Sequence, residues 1–321
     1  MCWLYLRDVL RKIHDAMKNN SNELNVVCEG SPSRMRRVRR ISLAIAMLFV
    51  EAIDFCEAQE YNSIREIRLC QRGAHMMENK SKFETTSFSL HIMAMVFMLC
   101  DHLWGTSFVN HEIFTCIGRL TFPIYAFLLV EGYFHTGNLK KYVHRLLLFA
   151  IISEIPFNFV MGSRLFYPIH QNVLWSFLIS IGLIHWNEKS KEKQVWKRLL
   201  VLIATFCIAY IGGIITFVDY YHAGILMVLT FYFFRGKKWW NYLGQLLCMW
   251  YINCEMLGGY GYEIDLFGDT HFIARQGIAL FALIPIWLYK GKQGYRSKKL
   301  QYLYYAFYPL HLLILGIIKI L

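Results

Sequence analysis

Residues 113–160 read IFTCIGRLTFPIYAFLLVEGYFHTGNLKKYVHRLLLFAIISEIPFNFV. Two long apolar runs flank a short break that carries Lys140, Lys141 and Arg145. A bilayer crossing needs roughly 17–25 mostly apolar residues, because ~30 Å of hydrocarbon is covered at about 1.5 Å per residue. The pattern recurs outward from this stretch. Apolar segments lie at 88–104, 113–131, 142–160, 172–187, 198–218, 222–235, 239–257, 272–290 and 301–320, the sixth being the shortest. The expected fold class is therefore all-α, a polytopic integral membrane bundle of nine transmembrane helices.

The charge of the breaks tests that count. Those after segments two, four, six and eight hold Lys140, Lys141 and Arg145; Lys189, Lys191, Lys193, Lys197 and Arg198; Arg235, Lys237 and Lys238; and Lys290, Lys292, Arg296, Lys298 and Lys299. The alternate breaks hold Arg164 as their one basic residue, together with the acidic Asp219, Glu263, Asp265 and Asp269. A wrong helix count would scramble this alternation, and the positive-inside rule places the N-terminus inside. The expected location is the bacterial inner (plasma) membrane, multi-pass, with lipid as a partner.

The composition agrees. Of 321 residues, 56% are apolar and 17% aromatic, against roughly 45–50% apolar in an ordinary soluble domain. The net charge of +12 raises nucleic-acid binding. The basic residues, however, fall in short breaks between apolar runs, where they meet anionic lipid, so no nucleic-acid partner is expected. Nine cysteines are scattered without a C-x-x-C pair, and no disulfide or metal site is predicted.

Residues 1–86 differ in character. They are polar and basic, with a cluster at Arg34, Arg36, Arg37, Arg39 and Arg40. Their apolar stretch Ile41–Val50 is too short to cross a bilayer, and Glu51 and Asp54 follow it. A poorly ordered extension is expected over 1–86, with Met76 or Met77 as an alternative start, ahead of a membrane domain over 87–321.

Ionisable groups at bilayer depth are costly and mark function. Segment one holds His91 near the basic-loop end and the Asp101–His102 pair toward the other. Adjacent helical residues diverge by about 100°, so Asp101 is expected to face another helix rather than the His102 ring. Segment two holds Arg119 and Glu131, too far apart to pair, and segment three holds Glu154 ahead of Pro156. Arg119 and Glu154 are expected to pair across segments. Arg275 at the start of segment eight and His311 in segment nine, beside Pro309, complete the set. A histidine among carboxylates and arginines suits a general base acting against a thioester. Cations near the inner face suit the phosphates of coenzyme A. The motifs G-x-x-x-x-G-K-[ST], H-E-x-x-H and G-x-S-x-G are missing, so ATP hydrolysis, zinc proteolysis and serine hydrolysis lack support. By themselves these residues fit a membrane transferase or a proton-coupled secondary transporter equally. A non-catalytic assembly factor is a third reading. No inverted repeat is visible, which weighs against the transporter.

The stretches DHL (101–103), GRLTFPIYAFLLVEGYFHTGNLKKYVHRLLLFAIISEIPFN (118–158), QNVL (171–174) and YYAFYPLHLLIL (304–315) resemble the TraX family, over about residues 87–321. That family takes its name from the conjugation protein that acetylates the N-terminus of F-type pilin. It is similar to a wider group of transmembrane acyltransferases, among them the acyltransferase-3 proteins and the lysosomal enzyme that acetylates heparan glucosamine. The resemblance implies acetyl-CoA as co-substrate on the cytoplasmic side. It implies as acceptor an amine or hydroxyl, on a pilin-like N-terminus or a cell-surface glycan. It carries over a basic residue and a histidine in the first core helix, ten residues lying between them, onto His91 and His102; the family position usually holds Lys or Arg where His91 stands. His102, with Asp101 beside it, then takes the catalytic role, and His91 and Arg119 bind the cofactor. Glu131, Glu154, His311 and Arg275 are expected to contact substrate.

Overall fold

A computed structural model describes residues 85–266 and 269–320. Apart from Thr85 and Thr86, the extension expected over 1–86 and both alternative starts lie outside the described residues. The helices run in chain order as α1 (Ser87–Gly105), α2 (Glu112–Gly118), α3 (Thr121–His135), α4 (Leu139–Gly162), α5 (Val173–Ser190), α6 (Val195–Ile215), α7 (Tyr221–Phe233) and α8 (Trp239–Trp250). A π-helical turn (Tyr251–Met256) extends α8. Strands β1 (Gly261–Leu266) and β2 (Asp269–Ala274) come next, then a 3-10 segment (Arg275–Ala282), α9 (Leu283–Trp287) and α10 (Lys298–Ile320).

Local chemistry sets the boundaries. Thr86 Oγ1 accepts from Ser89 N at the start of α1, and Asn138 Oδ1 accepts from Lys141 N at the start of α4. Asn172 Oδ1 accepts from Leu174 N at the start of α5. Each satisfies a donor that the first helical turn leaves open. Helix α4 ends at Ser163, whose left-handed φ of 51° turns the chain. Contacts join lysine- and arginine-rich breaks at one end of the bundle, hereafter the basic end: Arg235 Nε donates to Glu131 Oε1, and Tyr232 and Lys191 both meet Glu188 Oε1. The start of α1 joins that end, since Ser87 N donates to Lys292 O and Phe88 N to Gln293 O. At the opposite end Gln171 and Val218 form a β-bridge that ties the α4–α5 and α6–α7 loops together.

Among the described residues, five helical segments are long and apolar enough to cross a membrane: Ser87–Gly105, Glu112–His135 taken across its short break, Leu139–Gly162, Val195–Ile215 and Lys299–Lys319. Tyr221–Phe233 and Arg275–Trp287 are apolar but shorter. The chain is thus a helical protein built for a membrane. Helix α6 leaves Leu199, Leu200, Ile203, Ile211 and Ile215 exposed, a surface that water would not tolerate but acyl chains match. The core is elsewhere, with Leu90, Ile124, Ile184, Ile225, Met227 and Leu312 fully buried.

Two expectations need correction. The acidic break holding Glu263, Asp265 and Asp269 is an antiparallel hairpin, Gly261 facing Ala274 and Leu266 facing Asp269. Segment eight was expected to begin at 272, yet residues 272–274 belong to β2 and the helical backbone starts at Arg275. The run YEIDL alternates apolar and polar residues, which is strand chemistry.

Candidate functional site

A cavity of about 810 Å³ penetrates the bundle. Its lining includes His91, Arg145 and Arg296 at the basic end, His102 and Arg119 farther along, and His170 and Asp219 at the opposite end. Both faces of the bundle therefore contribute to one space.

His102 on α1 meets His311 on α10, with Nδ1 of the first 2.6 Å from Nε2 of the second. The ring planes agree within 9° and the centroids are 4.9 Å apart, close to the N···N distance plus two ring radii. The rings are therefore coplanar and joined edge to edge. His311 Nδ1 lies 2.6 Å from the Phe307 carbonyl, which can only accept, so this nitrogen carries the proton. In the neutral ring Nε2 of His311 is then an acceptor, and His102 Nδ1 donates to it. The chain assigns the tautomers: His102 Nε2 is left with a free lone pair, without a protein partner among the described residues, on a residue that lines the cavity. Such an orienting hydrogen bond on the far nitrogen is how a general base is aimed.

Asp101 turns away from that ring, as expected. Its Oδ1 accepts from Arg119 Nη2 at 2.6 Å and from Thr115 Oγ1 at 2.8 Å. Gly118 permits this, since its missing side chain leaves room for the Asp101 carboxylate. Arg119 also donates through Nε to Thr115 O, through Nη2 to Thr115 Oγ1 and through Nη1 to Gln276 Oε1. Gln276 Nε2 in turn donates to the fully buried Asn253 Oδ1 in the π-helical turn. The expected pairing of Arg119 with Glu154 is overturned. Asp101, one helix away, offers the nearer carboxylate, and Glu154 Oε2 instead accepts from Asn172 Nδ2 and Trp175 Nε1.

The other predicted residues disperse. Glu131 lies at the basic end, accepting from Arg235 Nε at 2.7 Å, with His135 Nδ1 also at 3.6 Å. His91 stacks on Tyr304 at 4.5 Å and donates from Nδ1 to Ser87 O at 2.7 Å. Arg275 lies over the rings of Trp104 and Tyr260, at 5.1 and 5.6 Å. Hydrogen bonding thus brings His102 together with His311 and Asp101 with Arg119, while Glu131, His91, Glu154 and Arg275 stand apart. Sequence reasoning missed Tyr220, Gln276, Asn253 and the His170–Asp219 pair. Asn253 and Gln276 are polar amides beside apolar runs, a signal that was there to use; Tyr220 and His170 gain meaning only from the loop geometry.

His170 Nε2 is 3.3 Å from Asp219 Oδ1 at the opposite mouth. The hydrogen bond to Asp219 raises the His170 pKa above its ordinary 6.5; desolvation opposes this, while the charges of Asp219 and Glu154 reinforce it. Phe157 and Tyr221 supply the remaining ring contacts. The folded state therefore favours imidazolium, and the stability this contributes is complete below pH 6.5 and is lost as pH rises through the higher folded value. The thermal midpoint of the purified chain should fall as pH is raised through that window. Asp219→Asn keeps the Tyr220 N contact but should flatten the slope; an unchanged slope in the variant would refute the pairing.

A family model described as TraX protein matches residues 87–319. The probable fimbrial assembly protein FimC, serogroup H1, of Dichelobacter nodosus is 26% identical over 251 residues, spanning 72% of this chain and 94% of that protein. No solved structure matches the chain. With the family model covering well over half of its length, the chain belongs to the TraX family.

Proposed function

We propose that the protein is an integral membrane acetyltransferase. It takes an acetyl group from acetyl-CoA at the basic, cytoplasmic end and passes it to an amine or hydroxyl at the opposite mouth, with nine membrane crossings and the N-terminus inside. One observation carries this reading: a single cavity lined from both ends holds a histidine whose Nε2 is free and whose Nδ1 is fixed by His311. In the reaction, Nε2 of His102 accepts a proton from the acceptor as its nitrogen or oxygen bonds to the acetyl carbon. The acetyl–sulfur bond breaks, and the same nitrogen returns the proton to the departing thiolate. Acetyl ester or amide and free CoA are the balanced products.

The donor's phosphates fall to different residues from those expected. Arg119 lies toward the opposite end and is neutralised by Asp101. Arg145 lines the cavity at the basic end, its guanidinium 5.8 Å from the Tyr305 ring centroid and its buried Nε without a hydrogen-bond partner among the described residues. Arg145 and Arg296 are better placed to meet an anion, with His91 beside them. The fimbrial name of the Dichelobacter relative supports a pilin-like N-terminal amine as acceptor, a cell-surface glycan being the second choice.

The test is to supply labelled acetyl-CoA on one side of proteoliposomes and both an N-terminal-amine peptide and glucosamine on the other. Label should appear on an acceptor, and the acceptor that takes it identifies the class. A cavity lined at both ends also suits a proton-coupled transporter. That reading predicts flux driven by a pH gradient without acetyl-CoA, and label confined to CoA together with such flux would replace the enzyme.

A further inference from the structure

An attacked thioester carbonyl becomes an oxyanion, and a fixed donor aimed at that oxygen is among the largest sources of rate enhancement. Two donors line the cavity without being consumed by the fold. Arg119 has five N–H donors. One goes from Nε to Thr115 O, two from Nη2 to Asp101 and Thr115, and one from Nη1 to Gln276. A second Nη1–H remains, and the guanidinium is held by partners on α2, α1 and the 3-10 segment. Pinned on three sides, it cannot swing away. Asp101 adjoins His102 in α1, so the same turn that carries the proposed base also anchors this cation.

Tyr220 is the second donor. It lines the cavity and carries a phenol O–H donor. Its backbone is left-handed, with φ of 59°, and Tyr221 follows at 47°. Two consecutive bulky residues in that region are costly, of the order of 1–2 kcal/mol each, and such geometry concentrates where a side chain must be aimed. Here it points the ring onto Phe122, centroids 4.6 Å apart. Asp219 Oδ1 accepts from Tyr220 N and fixes the bend. Phe122 stands in the first turn of α3, directly after Arg119 and Leu120, so the ring contact brings Tyr220 to the junction that carries Arg119. Burial raises the phenol's pKa, so it keeps its proton at neutral pH. Arg119 Nε closes the last turn of α2 on Thr115 O, and its second Nη1–H is left over from that role.

We propose that Arg119 Nη1–H and the Tyr220 hydroxyl form the donor pair that holds the acetyl carbonyl oxygen as it becomes an oxyanion, an assignment that rests on the acetyltransferase reading. The carbonyl π electrons move onto that oxygen as the acceptor attacks. They return as the carbon–sulfur bond breaks, while the proton travels through His102. Gln276 and Asn253 are positioning residues that set the angle of Arg119.

Tyr220→Phe and Arg119→Lys, in the purified full chain with labelled acetyl-CoA and the acceptor that wild type labels, test this. Tyr220→Phe removes one oxygen and keeps the ring on Phe122; Arg119→Lys keeps the charge beside Asp101 but loses the fork. Each should lower kcat by about a hundredfold or more, with KM for acetyl-CoA within about twofold of wild type and the melting temperature unchanged for Tyr220→Phe. Should Arg119→Lys fail to fold, Tyr220→Phe decides alone. A Tyr220→Phe enzyme with wild-type kcat, or one that loses only acetyl-CoA affinity, overturns the pair while leaving the enzyme reading standing. No transfer by wild type to peptide or glucosamine overturns both.

Discussion

His102→Ala is expected to abolish detectable acetyl transfer while the protein still inserts and folds, its melting temperature lowered because the buried His311 Nε2 loses its donor. A positioned general base contributes about 10²–10⁴-fold, and here one nitrogen has both proton steps. The hydrogen-bond chain Phe307 O, His311, His102 makes a sharper version possible. His311→Phe keeps a ring of similar volume against Phe307 but removes the acceptor for His102 Nδ1–H. His102 is then free to rotate or to place its proton on Nε2, where it cannot act as a base. A loss of about 10–100-fold is expected, by analogy with the effect of removing the orienting partner behind a metal-ligating histidine. The measurement is transfer of label from acetyl-CoA, with thermal midpoints recorded on the same samples. Full activity in His102→Ala sinks the base assignment; full activity in His311→Phe sinks only the tautomer argument.

How these residues came to be legible differs from case to case. Leu90, Ile124 and Ile225 belong to apolar runs whose length alone implies helix and lipid, so the helical class was readable without any partner known. His102 and Asp101 stood out because charged and imidazole groups cost too much at that depth to be incidental. The 100° rule correctly turned Asp101 away from the histidine. Which group each one meets was not readable. Arg119 had two carboxylates to choose between, and the choice was made by Gly118, whose missing side chain lets Asp101 approach from α1. The His102–His311 contact links positions 209 residues apart, and no periodicity encodes a distance of that kind. Tyr220 looked like an ordinary aromatic in a break. Its meaning comes from a positive φ that propensity could not foresee in tyrosine. The strand Gly261–Leu266 is legible too, but through a period of two rather than a long apolar run.

Gly118→Ala is expected to be the most damaging conservative change in the bundle's site region. A Cβ at this position would collide with Cβ of Asp101 and lie 2.6 Å from its Cγ and 2.7 Å from its Oδ1, distances that real side chains do not adopt. Something must shift, and two helices would have to part. Because Cβ of Asp101 is fixed to its backbone, α1 must draw back and carry the Asp101 carboxylate with it. Moving that carboxylate breaks its bonds to Arg119 and Thr115 together. Overpacking alone costs about 1–3 kcal/mol, and a hydrogen bond to a charged group adds roughly 1.5–3 kcal/mol. Arg119 would be released from its fixed angle, so transfer should fall with stability. Gly182→Ala is the matched control. It sits inside α5 with nothing within 4 Å of its added Cβ, and removing a helix-interior glycine should raise stability by roughly 0.5–1 kcal/mol. Thermal midpoints of the two purified variants should therefore move in opposite directions. A Gly118→Ala protein that melts with wild type and retains transfer would show that α1 and α2 do not approach as closely as the Asp101–Arg119 pair requires.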